Sequence, residues 1–423
     1  MMSSDESPSA FARHLAALRL RIGDEALDVR HEVFFLAIRY GRGAGLRGCA
    51  ALLRDAWLLL RGPASGGQPL ADGVMLVATL AGQSGWGTLV RSLPLSAPGS
   101  PAILAHPRLA ARDFPQDVPV VRPLRPSLAG LCRAVSTFCR VLLTQRSLLL
   151  ASCLARRGLW RASLARTLSG RRGPLILHND FDMMSNAAIG QTGATVCLQH
   201  GLPTDEFFPI RADWYVVWGA RSRQAFIDAG SVAARLVEDA LDRAPAPNAP
   251  ETAPAGISLL SQTHAPILGS ELAGWLHEFA LRLLQADSAL RILLHPQEHT
   301  GYPGAAGLAC SRPPHAEFAA EATPRLVLGC CSTALFDAAL AGHWVVLLVA
   351  PLEGNRAALQ TLEGLPRVES AEQVLSLYQR LRTDVVFRRE AALAQLSWLK
   401  ENFTAETGAL ARLLARLEDG ADA

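Results

Sequence analysis

Three short stretches in the second half of the chain carry residue types suited to holding a phosphate. One is ILLHPQEHTG, residues 292–301, where an apolar run stops at His295-Pro296. Proline ends strand pairing and fixes the local backbone. The imidazole is thereby held at a strand end, where it either closes the loop or donates a hydrogen bond to a phosphate or carboxylate. His299 follows four residues later. A zinc pair at that spacing needs a helix to bring both rings to one face, and Pro296 with HTGYPG opposes a helix, so no metal is expected. The second stretch is GCCSTALFDAALAG, 329–342. Ser332-Thr333 open a predicted helix, and two hydroxyls there serve as a cap, as an anion site, or as both. The third, ISLLSQTHAPILG (257–269), ends a strand in Ser261, Gln262, Thr263 and His264. That polar loop either faces solvent or touches a nucleotide or sugar.

The first half carries residues suited to moving a proton. In CLQHGLPTDEFFP (197–209), Gln199, His200 and Gly201 end a strand. His200 reads as a general base, an acceptor-binding group or a structural histidine. Gly201 allows close backbone approach, and Gln199 and Gly201 are assigned to the acceptor side. In LHNDFDMMSN (177–186), His178, Asp180 and Asp182 follow another strand. A carboxylate there deprotonates an acceptor hydroxyl, or Asp180 caps the next helix. Gln83 and Ser84 lie in AGQSGWG (81–87), read as a further acceptor-side loop. No GxGxxG fingerprint, GxSxG elbow or Walker loop is present, so no cofactor is expected.

These residues need a scaffold, and the composition supplies one. Half of the 423 residues are apolar and 19% are charged, enough for a large core. The net charge of +3 is too small to indicate nucleic acid. Eight scattered cysteines without a CxxC pair read as buried free thiols in a reducing compartment. The N-terminus has no signal-peptide pattern, and no run approaches the ~18–20 uncharged residues of a membrane span, so a cytoplasmic protein is expected.

Short Val-, Ile- and Leu-rich runs at 72–80, 101–106, 118–122, 174–178, 195–200 and 213–218 predict strands buried on both faces, separated by helical patterns. A Pro- and Ala-rich stretch, 241–256, predicts a linker. A second series follows, with strands at 257–261, 289–294, 325–330 and 344–349 and helices at 270–285, 333–341 and 371–382. Residues 385–416 read as a helical tail. The predicted fold class is α/β, with two Rossmann-like domains (1–240 and 257–423) facing a cleft. Residues 124–172 contain many Arg and Leu and no acid, and predict one or two basic amphipathic helices. They read as a core-packed pair with solvated arginines, a face for anionic lipid, or a groove for an anionic acceptor. Residues 42–62 share that character more mildly.

Taken together, QHG followed by ADWYVVWG, then a linker, then HP and one strand later Ser-Thr, resembles the GT-B-type glycosyltransferases of bacterial capsular and lipopolysaccharide synthesis. The HP and Ser-Thr pair is most similar to sialyl-, polysialyl- and Kdo-transferases that use CMP-sugars. That resemblance implies a metal-independent transferase with His295, Pro296, Ser332 and Thr333 on the nucleotide phosphate. It also implies a nucleotide-sugar donor, a glycan or lipid-linked acceptor, and no nucleic-acid partner; residues 124–172 would meet the inner membrane face. The acidic pair with a following glycine that holds the base in bacterial sialyltransferases has no clear copy. Asp180 and Asp182 stand nearest. Teichoic-acid transferases acting on CDP-polyols are the closest rival. A non-catalytic sugar- or nucleotide-binding partner also fits. A sugar-nucleotide epimerase would show carboxylates near the second-half phosphate site, where the sequence reading identifies Asp337 alone.

Overall fold

The computed structural model describes residues 8–64, 73–80, 101–241, 250, 252–263, 266–286, 290–295, 298, 302, 309–310, 318, 321 and 323–418. Pro296, Gln83, Ser84, His264 and His299 lie outside them, as does most of the predicted linker.

Three helices come first: α1 (Ala10–Ile22), α2 (Glu25–Tyr40) and α3 (Ala44–Leu60). The first sheet then forms from β1 (Met75–Ala78), β2 (Ala102–Ala105), β3 (Val120–Val121), β4 (Leu175–Leu177), β5 (Thr195–Leu198), β6 (Trp214–Val217) and β7 (Leu236–Glu238). Helices α4 (Leu128–Gln145), α5 (Leu148–Thr167), α6 (Met183–Ala188) and α7 (Ala220–Asp228) are interleaved with it. The second sheet comprises β8 (Ile257–Leu260), β9 (Arg291–Leu293), β10 (Ala309–Cys310), β11 (Leu326–Gly329), β12 (Trp344–Leu348) and β13 (Arg367–Val368). Its helices are α8 (Leu272–Ala286), α9 (Ala334–Leu340), α10 (Arg356–Thr361), α11 (Ala371–Thr383), α12 (Val385–Asn402) and α13 (Ala409–Glu418).

All recorded strand pairings are parallel. The orders are β3-β2-β1-β4-β5-β6-β7 and β10-β9-β8-β11-β12-β13. Both follow the Rossmann order, so the fold is α/β with two Rossmann-like halves, as expected. In such a sheet the strand order reverses between the first and fourth strands, and ligands bind beyond the carboxyl ends there. The two reversal points are β1/β4 and β8/β11.

Burial explains the strand sequences. Met75 and Val77 pack into one core while Leu76 and Ala78 pack into another on the opposite face. A strand apolar at every position is the consequence. The last helix, read from the sequence as part of the second half, packs on the first: Leu410, Leu413 and Leu414 join the core beneath β1, β2, β4, β5 and β6. The two halves are further joined by an aromatic cluster. Trp218 stacks on Phe403 at 5.6 Å, Phe336 stacks on Trp398 at 4.6 Å, and Trp218 meets Phe336 edge-on. Among the described residues, no helix is long and apolar enough to cross a membrane.

The basic segment divides into two unlike helices. Helix α5 is buried along most of its length, and two of its four arginines are used inside the protein, while Arg161 and Arg166 are exposed. Arg156 pairs with Asp55 and Glu32, and Arg157 pairs with Asp28. For this half of the segment, the core-packed reading holds. Helix α4 keeps an exposed face.

Candidate active site

The carboxyl ends of three strands of the first sheet each deliver a histidine. His106 follows β2 directly, His178 follows β4 directly, and His200 lies two residues beyond β5. Strands β4 and β5 pair with Leu177 opposite Cys197, which brings the last two rings together at 4.2 Å between centroids. On its other side His200 stacks on Phe207 at 5.1 Å and 20°. The imidazole is thus clamped between two rings. Burial, and then the neighbouring His200, push His178 down to about 2, so His178 stays neutral at physiological pH.

That depression predicts a pH effect on stability. His178 binds no proton in the folded protein over the range in which it binds one when unfolded. Stability is therefore unaffected above the unfolded value of about 6.5 and falls as pH drops below it. The fall in melting midpoint from about pH 7 to about pH 5 is expected to be smaller in His178→Gln than in the wild type. An equal fall in both proteins would contradict this environment for His178.

The two aspartates have definite structural positions. Asp182 caps α6, accepting from the Met184 and Ser185 backbones at 3.0 and 2.9 Å. Its other oxygen accepts from the Ser185 hydroxyl and from Thr79 Oγ1 at 3.1 Å, bridging the β1/β4 reversal point. The cap is therefore Asp182, not Asp180. Asp180 is wholly buried and accepts from the Arg211 and Ala212 backbone N–H groups. A carboxylate so enclosed holds the 208–212 turn. Gln199 is likewise enclosed. Its amide accepts from Trp218 N and donates to Gly201 O, and its carbonyl accepts from Trp218 Nε1. It shapes the His200 turn and does not itself line the cleft.

Two groups absent from the sequence reading complete this side. Glu206 Oε2 lies 3.3 Å from His31 Nε2, and His31 stacks on Phe181 at 4.7 Å. Burial opposes the charge on Glu206, but the hydrogen bond and charge of His31, with the charge of His200, hold its carboxyl below the usual range. Helix α2 inserts this whole stretch: Asp28 pairs with Arg157 and Arg211, Arg30 donates to Pro209 O, and Glu32 pairs with Arg156. The signal was visible as DVRHE, four charged or titratable residues in five on a helix that is otherwise largely apolar.

On the second sheet, Gln262 bridges the β8/β11 reversal point. Its amide accepts from Cys331 N at 3.0 Å and donates to Cys331 O. The Ser261 and Thr263 hydroxyls both meet Glu298 Oε1, and the other oxygen of Glu298 accepts from His295 N at 2.9 Å. The expected nucleotide contacts Ser261, Gln262 and Thr263 thus hold the strand ends in shape. Glu298, three residues after His295 in the same quoted stretch, is a carboxylate at this site in addition to the one expected at Asp337. His295 and Ser332 are half-buried. The Ser332 hydroxyl accepts from Ala334 N at 3.3 Å.

The two halves meet at the residues under discussion. Thr333 Oγ1 accepts from Leu202 N at 3.0 Å. A Cβ placed on Gly201 would come 3.0 Å from the same oxygen, so any side chain here presses on Thr333. Gly201→Val is expected to force the two turns apart, at a cost of about 1–3 kcal/mol for overpacking. A lower melting midpoint and lower activity together would bear this out; unchanged values of both would contradict the contact.

No family model and no curated protein matches the chain. It is similar in fold to several solved structures. The S. aureus MnaA–UDP co-structure is 11% identical, with 83% of this chain and 97% of that one covered and a TM-score of 0.46. Anabaena HepE in complex with UDP-glucose is 12% identical, covering 82% and 99%, with a TM-score of 0.48. The wall teichoic acid polymerase TagF, as an H444N variant with CDPG, is 9% identical, covering 92% and 98%, with a TM-score of 0.47.

Proposed function

We propose that the chain is a glycosyltransferase that moves a sugar from a nucleotide-activated donor, of the CMP-sugar class, to a hydroxyl of a glycan or lipid-linked acceptor. The reading rests chiefly on the meeting of the His200 turn with the Ser332-Thr333 turn. That contact supports a reading in which His200 takes a proton beside phosphate-binding groups of the other sheet. In the reaction, the acceptor oxygen attacks the anomeric carbon as the bond from that carbon to the phosphate oxygen breaks. The electron pair leaves with the phosphate, where the Ser332 hydroxyl and the His295 imidazole stabilise it. The acceptor proton passes to His200, whose gained charge is favoured by Glu206. Neutral His178 keeps the pair of rings from carrying two charges.

The test is turnover of CMP-, CDP- and UDP-activated donors with and without a hydroxyl acceptor, following the released nucleotide. Acceptor-dependent release of CMP from a CMP-sugar is the expected result. Acceptor-dependent consumption of a CDP-polyol would move the chemistry to phosphoryl transfer. Isomerised donor with no nucleotide released would identify an epimerase using the Glu298 side. Binding without turnover of any donor would leave a non-catalytic partner.

A further inference from the structure

Helices α3 and α4 both pack against the buried helix α5. A Cβ on Gly48 of α3 would meet Ser152, and one on Gly130 of α4 would meet Ala162. Each flanking helix turns an apolar stripe outward. On α3, Leu46, Leu53, Trp57 and Leu60 are 71, 70, 52 and 45% exposed. Their spacings of seven, four and three place them on one face. On α4, Leu128, Val135 and Leu142 repeat every seven residues, and Leu143 beside them is 78% exposed. Cys132 and Cys139, also exposed, fill the same stripe. The helices meet at one end, where Arg125 bonds to the backbone of Gly62 and Pro63. Leu60 and Leu128 therefore bring the two stripes to the same end of the bundle.

The exposed charge carried by these two helices is of one sign, with Glu25 of α2 an acid beside it, 3.8 Å from Arg140. Arg47, Arg54 and Arg61 border the first, and Arg133 and Arg140 border the second. Asp55 is the sole acid on either helix, and it is fully buried. Arg61 lies over the Trp57 ring at 3.9 Å, and Arg47 over Tyr40 at 4.9 Å. Aromatic rings paired with arginine at the border of an apolar face match the depth profile of a lipid headgroup layer.

We infer that the outer face of α3 and α4 docks on an anionic lipid surface, with the leucine and tryptophan stripes entering the headgroup boundary and the arginines meeting lipid phosphates. This does not depend on the transferase reading. The structure narrows the sequence expectation: α5, within residues 124–172, is interior, and α3, outside that segment, supplies half of the surface.

The test is flotation of the full chain with phosphatidylglycerol–phosphatidylcholine vesicles and with pure phosphatidylcholine vesicles, at low and high salt. Binding to the anionic vesicles, weakened by salt, is expected. Trp57→Glu with Val135→Glu should reduce it more than about tenfold with the melting midpoint kept. If that pair fails to fold, Arg47→Gln with Arg133→Gln serves, each expected to weaken binding roughly fivefold. Three outcomes would overturn the inference: no binding to anionic vesicles, equal binding by the variants, or a lipid-free dimer that Trp57→Glu dissolves. The last would assign the face to a second copy.

Discussion

His200→Gln is expected to lower kcat by about 10²–10⁴-fold while nucleotide affinity stays within a factor of about two. The asymmetry follows from where the residue sits. His200 belongs to the first sheet and contacts His178 and Phe207, whereas the groups proposed to bind the nucleotide belong to the second. Glutamine keeps much of the volume and a polar end but cannot take a proton near neutral pH. Glu206→Gln should lower kcat less, because it removes a charge that favours protonated His200 and leaves the base itself. It should also shift the acid limb of the pH–rate profile. A purely structural Glu206 would change stability and leave that limb in place. Equal loss of kcat and of nucleotide affinity in His200→Gln would contradict this division of labour.

The second large effect is on stability. Asp55 is fully buried on α3. It accepts from Arg156 Nε at 2.6 Å and Trp160 Nε1 at 2.7 Å, both on α5, and Arg54 and Arg108 approach its other oxygen. Asp55→Ala leaves the Arg156 charge with Glu32 alone and strips the indole N–H of its acceptor. Breaking a buried pair by removing one partner costs about 3–5 kcal/mol, so Asp55→Ala should show a large drop in denaturation midpoint. The double change Asp55→Leu with Arg156→Met should cost less than Asp55→Ala alone, since no buried charge is then stranded. A double variant at least as unstable as the single would contradict this account of the network.

All ten strands expected from apolar runs are present, because strands buried on both faces leave a continuous local signature. Those missed, β7 (LVE), β10 (AC) and β13 (RV), are short strands at sheet edges with no continuous apolar run to mark them. Candidate residues stand out where a polar or titratable side chain and a strand end coincide in sequence, as at His178, His200, His295 and Ser332. They were not legible where a partner arrives from far along the chain. His31 reaches Glu206 across 175 positions; DVRHE marks the helix stretch as unusual but does not point to Glu206 as its partner. Roles were also misread when two candidates stood side by side. Asp180 and Asp182 both precede α6, and only the backbone path shows that the second caps it while the first is sealed inside. Gln262, Ser261 and Thr263 look like ligand contacts in sequence because polar residues at a strand end are the general signal. Their partners, Cys331 and Glu298, lie 69 and 37 residues away from Gln262 and Ser261.

The central claim is that a cytidine nucleotide binds the second sheet next to a base carried by the first. Isothermal titration of CMP, CDP, UMP and UDP into the wild type, His295→Ala and His200→Gln tests it most directly. The account predicts binding of CMP to the wild type and to His200→Gln, and its loss in His295→Ala. Nucleotide binding unaffected by His295→Ala, or no nucleotide binding by the wild type, would contradict it.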